Sequence, residues 1–336
     1  MRRIEGLDYL RGISAFLIMI YHYQSWITNS RLDSSSILSR FGVYGVSIFY
    51  ILSGLTLYLV YNSKTHFSYK SFYLKRLFRI YPLLILVTIL HLIIGNSNFD
   101  LIKFILNITG LFGIFAWDNY YATGAWSIGN ELVFYLIFPF MLVFAKRSKT
   151  LFFIAAILFM GIYCLFSFKI LDHQLPISQQ WRLYINPMNQ AFLFIIGMLI
   201  GFFANIIEKL KKLYFLFIII GMLIFVLIPS KGDSINIVTG LSRITYTISI
   251  TIICLGFYMI SLHKSFFTRM LTFFGEISYS IYLLHPIVYI LMSQISKGTT
   301  LFILSILLSI VISHLVYKYF EIPIIKSKLL QKLTKY

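Results

Sequence analysis

Ten apolar stretches follow one another along this chain, at residues 8–28, 42–61, 78–95, 128–145, 150–168, 189–207, 213–229, 243–260, 277–293 and 300–319. Most are close to the roughly 20 residues that a helix needs to cross hydrocarbon. Backbone in lipid must satisfy its own N–H and C=O groups, so runs of this kind fold as helices. The pattern predicts an all-α integral membrane protein with about ten transmembrane helices. A further apolar piece, 104–117, is short and leads into the polar-aromatic WDNYYATGAW; it predicts a re-entrant or interfacial helix, with an eleventh span as the alternative. Apolar residues make up 59% of the chain and charged residues 12%, so a large soluble domain does not fit within 336 residues. The whole chain, 1–336, is expected to be one transmembrane domain ending in a basic tail, 320–336. The first apolar run has no small-residue cleavage pattern after it, so it is expected to stay as a span.

The basic residues orient the spans. With ten helices and the N-terminus inside, 18 Lys and Arg residues fall in inside segments and seven in outside ones. Arg2, Arg3 and Lys335 are among the 18, and Arg40 is counted outside. Four more, Arg11, Arg79, Arg243 and Lys318, lie at span boundaries. Making 104–117 a full span would reverse every later loop, so the positive-inside rule favours ten spans with both termini cytoplasmic. The net charge of +18 therefore sorts by membrane side and gives no support to nucleic-acid binding. Cys164 and Cys254 sit in apolar runs and read as buried thiols, with no metal site among them.

Several polar residues lie within this apolar frame. In DYLRGISAFLIMIYHYQSW, Arg11 and His22 are eleven positions apart, about three turns, and lie on nearly one face roughly 16 Å apart along the axis. Ionisable groups in membrane helices usually face a cavity or the protein interior; the alternative is an interfacial arginine beside a core histidine. The loop KTHFSYKSFYLKRLFRIYP carries Lys75, Arg76 and Arg79, the two arginines on one helical face. They suit anionic lipid, the reading composition favours, or a phosphorylated ligand. Glu131, in WSIGNELVFYLIFP, is the only acidic residue of span 128–145, with Trp126 and Asn130 as polar neighbours at the interface. Near the end, Tyr282 and His285 share a face beside Pro286, and Glu321 is expected to pair with Lys318. Gly197 and Gly201 form a small-xxx-small pair suited to close packing.

Taken together these stretches resemble the membrane acyltransferase 3 family, bacterial integral-membrane O-acetyltransferases of surface polysaccharides and related substrates. The pieces fall in the family's order: DYLRG with ten residues between Arg11 and His22, GVSIFYILSG, RLFRIYP, WSIGNELVFYLIFP, GEISYSIYLLH and YKYFEIP. The chain departs from the pattern at Tyr9, at Ser47, where an acidic residue is common, and at Leu132, where a second glutamate is common. No hydrolase-like domain of the kind fused to the C-terminus of some relatives is expected.

The resemblance implies about ten helices in the bacterial cytoplasmic membrane and an acetyl group taken from cytoplasmic acetyl-coenzyme A as cosubstrate. The acceptor is implied to be a saccharide, lipid-linked in one version, and no metal is implied. It makes Arg11 and His22 the essential pair, puts Arg76 and Arg79 (with Lys75) on the donor side, and gives Glu131 an active-site role. Asp8, Trp126, Asn130, Tyr282 and His285 are expected to support them. His22 then either deprotonates the acceptor hydroxyl or carries the acetyl group itself. A transporter of sugars or lipid-linked oligosaccharides is the alternative from another class.

Overall fold

The computed structural model describes residues 4–95 and 98–334. Arg2, Arg3 and Lys335, used above to orient the chain, lie outside the described residues. The described chain is all α-helical. The first six helices are α1 (Glu5–Ile27), α2 (Ile37–Asn62), α3 (Tyr69–Ile94), α4 (Leu101–Thr109), α5 (Phe112–Phe115) and α6 (Ala125–Arg147). Then come α7 (Lys149–Leu165), the one-turn α8 (Trp181–Tyr184), α9 (Pro187–Phe202), α10 (Ala204–Ile207) and α11 (Tyr214–Leu227). The chain closes with α12 (Ile235–Val238), α13 (Gly240–Met259), α14 (Phe266–Ser293), α15 (Gly298–Val316), α16 (Ile322–Ile325) and α17 (Lys328–Leu333).

Among the described residues nine helical segments are long and apolar enough to cross a membrane. Nine of the ten expected spans map onto them. The tenth, α1, is 23 residues long but is not one of the nine. Its polar residues, from Asp8 and Arg11 to the YHYQS run, lower its hydropathy; Arg11, Tyr21, His22 and Ser25 line internal cavities and Tyr23 is buried. The piece at 104–117 is two short helices, α4 and α5, separated by Gly110 in the left-handed region (φ 71°). At nine and four residues neither reaches across hydrocarbon.

Glycines set the closest helix pairs, and these pairs fix relative directions. A Cβ on Gly12 would lie 2.6 Å from the Gly275 nitrogen, and one on Gly275 would lie 2.4 Å from the Asp8 carbonyl oxygen. Likewise a Cβ on Gly54 would lie 2.0 Å from the Phe194 oxygen, and one on Gly197 2.0 Å from the Ile51 oxygen. Only bare backbone fits at these crossings. Along α1 and α14 the Gly12–Gly275 contact is followed by His22–His285, and along α2 and α9 Gly54–Phe194 is followed by Tyr58–Gly201, so both pairs run parallel. Helices α11 and α13 run antiparallel: Gly221 meets Ile253, whereas Gly256 meets Ile218. Parallel pairing of the first long helix with the ninth, and of the second with the sixth, is what alternating crossings require.

Some expectations need correction. The basic segment after α2 is helical from Tyr69, capped by Ser68, whose hydroxyl accepts from the Ser71 N–H. Lys75, Arg76 and Arg79 therefore stand on α3 and not on a loop. Arg40, counted as an outside charge, is 4% exposed inside α2. Its guanidinium donates to the carbonyls of Ser34, Phe225 and Val226, so it caps the C-terminal end of α11. Arg243 is also buried; it lies 4.0 Å from the centre of the Tyr163 ring and donates to the Asn189 carbonyl. Glu321 does not turn towards Lys318. A π-helical turn at Tyr317–Glu321 rotates the carboxylate inward, where it accepts the Ser280 hydroxyl, and Lys318 lies over the Tyr319 ring.

Candidate active site

Two cavities open along α1, one towards each end. The cavity at the Arg11 end, about 220 Å³, is walled by α1, α2, α3, α6 and α14. The one at the His22 end, about 390 Å³, is walled by α1, α2, the start of α6 and the segments around Ile177–Tyr184. Val46 of α2 and Tyr282 of α14 line both. The two spaces are thus neighbours, with these two side chains between them.

The Arg11 end is basic. Arg11, Arg76 and Arg79 line it, opposed by the single carboxylate of Glu131. Arg11 is braced by its own surroundings. One terminal nitrogen donates to Asp8 at 3.2 Å, and the other to the Thr56 hydroxyl at 2.7 Å and the Leu52 carbonyl at 3.3 Å. Asp8 acts from behind this arginine and does not line the cavity. Arg76 sits beside the Tyr135 ring, 5.9 Å from its centre, and its buried Nε has no partner among the described residues. Arg79 is exposed at the mouth. Lys75 lies one position before Arg76, half-buried and outside the cavity lining.

Glu131 is two turns inside α6, which starts at Ala125 after Gly124 in the left-handed region (φ 85°). Its carboxylate accepts the Ser53 hydroxyl at 2.8 Å and the Tyr135 hydroxyl. Neighbouring Asn130 is fully buried and structural in contact, donating to the Tyr50 hydroxyl and to the Ile185 carbonyl.

The His22 end is aromatic. Trp26, Tyr120, Trp126, Trp181 and Tyr184 line it, with Arg31 at the rim. His22 Nδ1 is 2.8 Å from Nε2 of His285, and the Trp26 indole lies parallel to the His22 ring with centres 5.0 Å apart. The structure therefore gathers Arg11, Arg76, Arg79 and Glu131 around one cavity and places His22 with Trp126 and Tyr282 on the other. It does not bring Glu131 to His22; the partner of His22 is His285.

Sequence reasoning missed Ser53, Tyr135 and Thr56 at the Arg11 end and Trp26 and Trp181 at the His22 end. Two of these had a local signal. Tyr135 is four residues after Glu131 and Trp26 four after His22, the spacing of neighbours on a helix face. The others come from distant segments. Among the described residues no group of three or more His, Cys, Asp or Glu side chains is placed to hold a metal ion.

The chain belongs to the acyltransferase 3 family: the family profile, described as an acyltransferase domain, matches residues 4–318. Among its relatives, "Putative O-acetyltransferase SACOL0978" of Staphylococcus aureus strain COL is 27% identical over 366 aligned positions, covering 96% of this chain and 57% of that protein. "O-acetyltransferase OatA" of Staphylococcus aureus strain NCTC 8325 / PS 47 is 25% identical, covering 97% of this chain and 58% of the relative. The chain thus spans little more than half the length of these curated relatives. No solved structure matches it.

Proposed function

We propose that this protein is an O-acetyltransferase that moves an acetyl group from acetyl-coenzyme A to a sugar hydroxyl of a cell-surface polysaccharide or its lipid-linked precursor. The observation that carries this reading is the pair of cavities meeting at Val46 and Tyr282, one basic and one bearing His22. A thioester donor brings phosphates, which guanidinium groups match with paired hydrogen bonds. Arg76, with a buried unpaired Nε, and Arg79 at the mouth suit that load. The cavity is smaller than the roughly 300–1,000 Å³ that encloses a drug-sized ligand. It suits the slender pantetheine arm, with the nucleotide left at the Arg79 mouth. From Arg11 to His22 is about 16 Å along α1, a span that an extended arm can cover.

On this reading the Arg11 end faces the cytoplasm, as do both termini, in a bacterial cytoplasmic membrane. Helices α4 and α5 lie at the opposite interface, and 320–336 forms a cytoplasmic tail. The acceptor enters the aromatic cavity, where sugar faces find ring surfaces. His22 removes the proton of the attacking hydroxyl; the alkoxide oxygen forms the new C–O bond, the C–S bond breaks, and coenzyme A leaves as the thiol once it gains that proton. In the two-step version a His22 nitrogen attacks first and holds the acetyl group until the hydroxyl displaces it. Arg11 holds the register of α1 against α2 beside the donor, and Glu131 positions Ser53 and Tyr135 in the donor wall. Membership of an acyltransferase family favours this over the transporter reading.

The test uses purified protein in lipid nanodiscs with radiolabelled acetyl-coenzyme A and candidate glycan acceptors. Ester-linked label on the glycan is the expected product. Absence of both acetyl transfer and thioester hydrolysis across glycan classes would overturn the reading.

A further inference from the structure

We infer that His285 is a positioning residue that holds His22 in the Nδ1–H tautomer, leaving His22 Nε2 as the basic nitrogen that faces the acceptor cavity. The inference rests on the reading of His22 as the reacting histidine, and deepens it by naming the reacting atom.

Helix geometry brings the two rings together. Helices α1 and α14 run parallel from the Gly12–Gly275 crossing, and His22 and His285 each lie ten residues further on. Equal rise, about 15 Å on both helices, sets the histidines level. Their facing nitrogens are 2.8 Å apart, the ring planes are 9° apart and the ring centres 5.1 Å apart. Parallel rings lying face to face would keep their atoms about 3.5–4.0 Å apart. The short contact therefore joins two rings lying edge to edge in nearly one plane. That is the direction in which an imidazole nitrogen presents its lone pair or its hydrogen.

The hydrogen in that bond can be assigned by following the chain of partners. His285 Nδ1 lies 2.9 Å from the Ile281 carbonyl oxygen, which can only accept, so Nδ1 carries a hydrogen. A neutral imidazole has one N–H, which makes His285 Nε2 an acceptor. His285 is 1% exposed, and a cation there would be costly to bury. The donor across the 2.8 Å contact is then His22 Nδ1–H. What remains on His22 is the Nε2 lone pair, and His22 lines the cavity of about 390 Å³.

The surroundings make this arrangement rigid. The Trp26 indole is within 13° of parallel to both imidazoles, at 5.0 and 5.8 Å between centres. The Tyr23 hydroxyl donates to the His285 carbonyl at 2.9 Å and shares a 2.6 Å bond with Ser309 of α15. His285 therefore does for His22 what a carboxylate does in a hydrolase triad: it accepts from the far nitrogen, fixes the tautomer and supports the imidazolium formed when Nε2 takes a proton. His91 shows the same device in a purely structural setting, with Nδ1 on the Val87 carbonyl and Nε2 facing the Thr123 N–H.

The test combines ¹⁵N spectroscopy of histidine-labelled wild-type protein with the kinetics of His285→Gln and His285→Phe. The expected spectrum shows His22, assigned by its loss in His22→Ala, protonated at Nδ1 and bare at Nε2. The phenylalanine variant should bind donor as the wild type does while kcat falls about 10²-fold, the scale of a misplaced reacting group. Glutamine, whose side-chain oxygen can accept from His22, should restore at least about tenfold of that loss. A wild-type His22 protonated at Nε2 would overturn the proposal, as would equal kcat in the two variants. The spectrum is informative even if no acetyl transfer is found, in which case the functional reading fails and the tautomer assignment is judged alone.

Discussion

The Ser127 hydroxyl donates to the Tyr282 hydroxyl at 2.8 Å, and Tyr282 donates onward to the Gly124 carbonyl at 3.1 Å. This ties α14 to the first turn of α6 at the level where the two cavities meet. A Cβ on Gly124 would lie 3.2 Å from the Tyr282 hydroxyl, so the junction is tight. Tyr282→Ala should merge the cavities and let water reach the thioester. Coenzyme A release should then exceed ester formation, whereas Tyr282→Phe, which keeps the ring, should stay coupled. Measuring both products in one assay checks this; full coupling in the alanine variant would contradict it.

Arg76 and Arg11 should separate donor binding from stability. Arg76 Nε has no protein partner among the described residues and its guanidinium stands 5.9 Å from the Tyr135 ring centre, so on the proposed reading Arg76→Ala removes a donor contact at small structural cost. A charged hydrogen bond is worth about 1.5–3 kcal/mol, which predicts roughly a 10- to 100-fold rise in the donor Kd with an unchanged unfolding temperature. Arg11→Ala also loses the ties to Asp8, Thr56 and Leu52, and should lower the unfolding temperature. Equilibrium coenzyme A binding and thermal unfolding in detergent distinguish the two.

Glu131 ties Ser53 and Tyr135 into the wall of the Arg11-end cavity. Glu131→Ala leaves two hydroxyls without their acceptor and should cost about 1–3 kcal/mol of stability. Glu131→Gln keeps an accepting oxygen and should recover most of that loss. Denaturant unfolding of both variants measures the difference.

Arg40→Met tests a purely structural arginine. The side chain caps the end of α11 through the Phe225 and Val226 carbonyls and lines neither cavity. Leaving these carbonyls buried and unpaired should cost about 2–4 kcal/mol, read as a lower unfolding temperature with donor affinity unchanged in the folded fraction.

The sequence carried the helix succession because apolar runs of membrane length have few alternatives. It also carried the Arg76–Arg79 face, since residues three apart on one helix are neighbours wherever the helix packs. The ends were less legible: α3 begins at Tyr69, nine residues before the apolar run, because a capped amphipathic turn extends the helix beyond the hydrophobic stretch. The pairing of His22 with His285 was not legible, since it depends on the Gly12–Gly275 crossing between helices more than 250 residues apart in sequence. For the same reason the division into two cavities escaped the sequence, which gave Glu131 and His22 roles in one active site. Val46 of α2, Tyr282 of α14 and Ser127 of α6 stand at that division, and no single segment encodes it.

The most direct measurement of the central claim is single-turnover transfer from radiolabelled acetyl-coenzyme A by His22→Ala in nanodiscs, with donor affinity determined on the same sample. Removing a general base or acyl carrier should lower acetyl transfer by about 10²–10⁴-fold, with donor affinity unchanged because the arginines lie at the other cavity. Transfer at the wild-type rate in that variant would contradict the account.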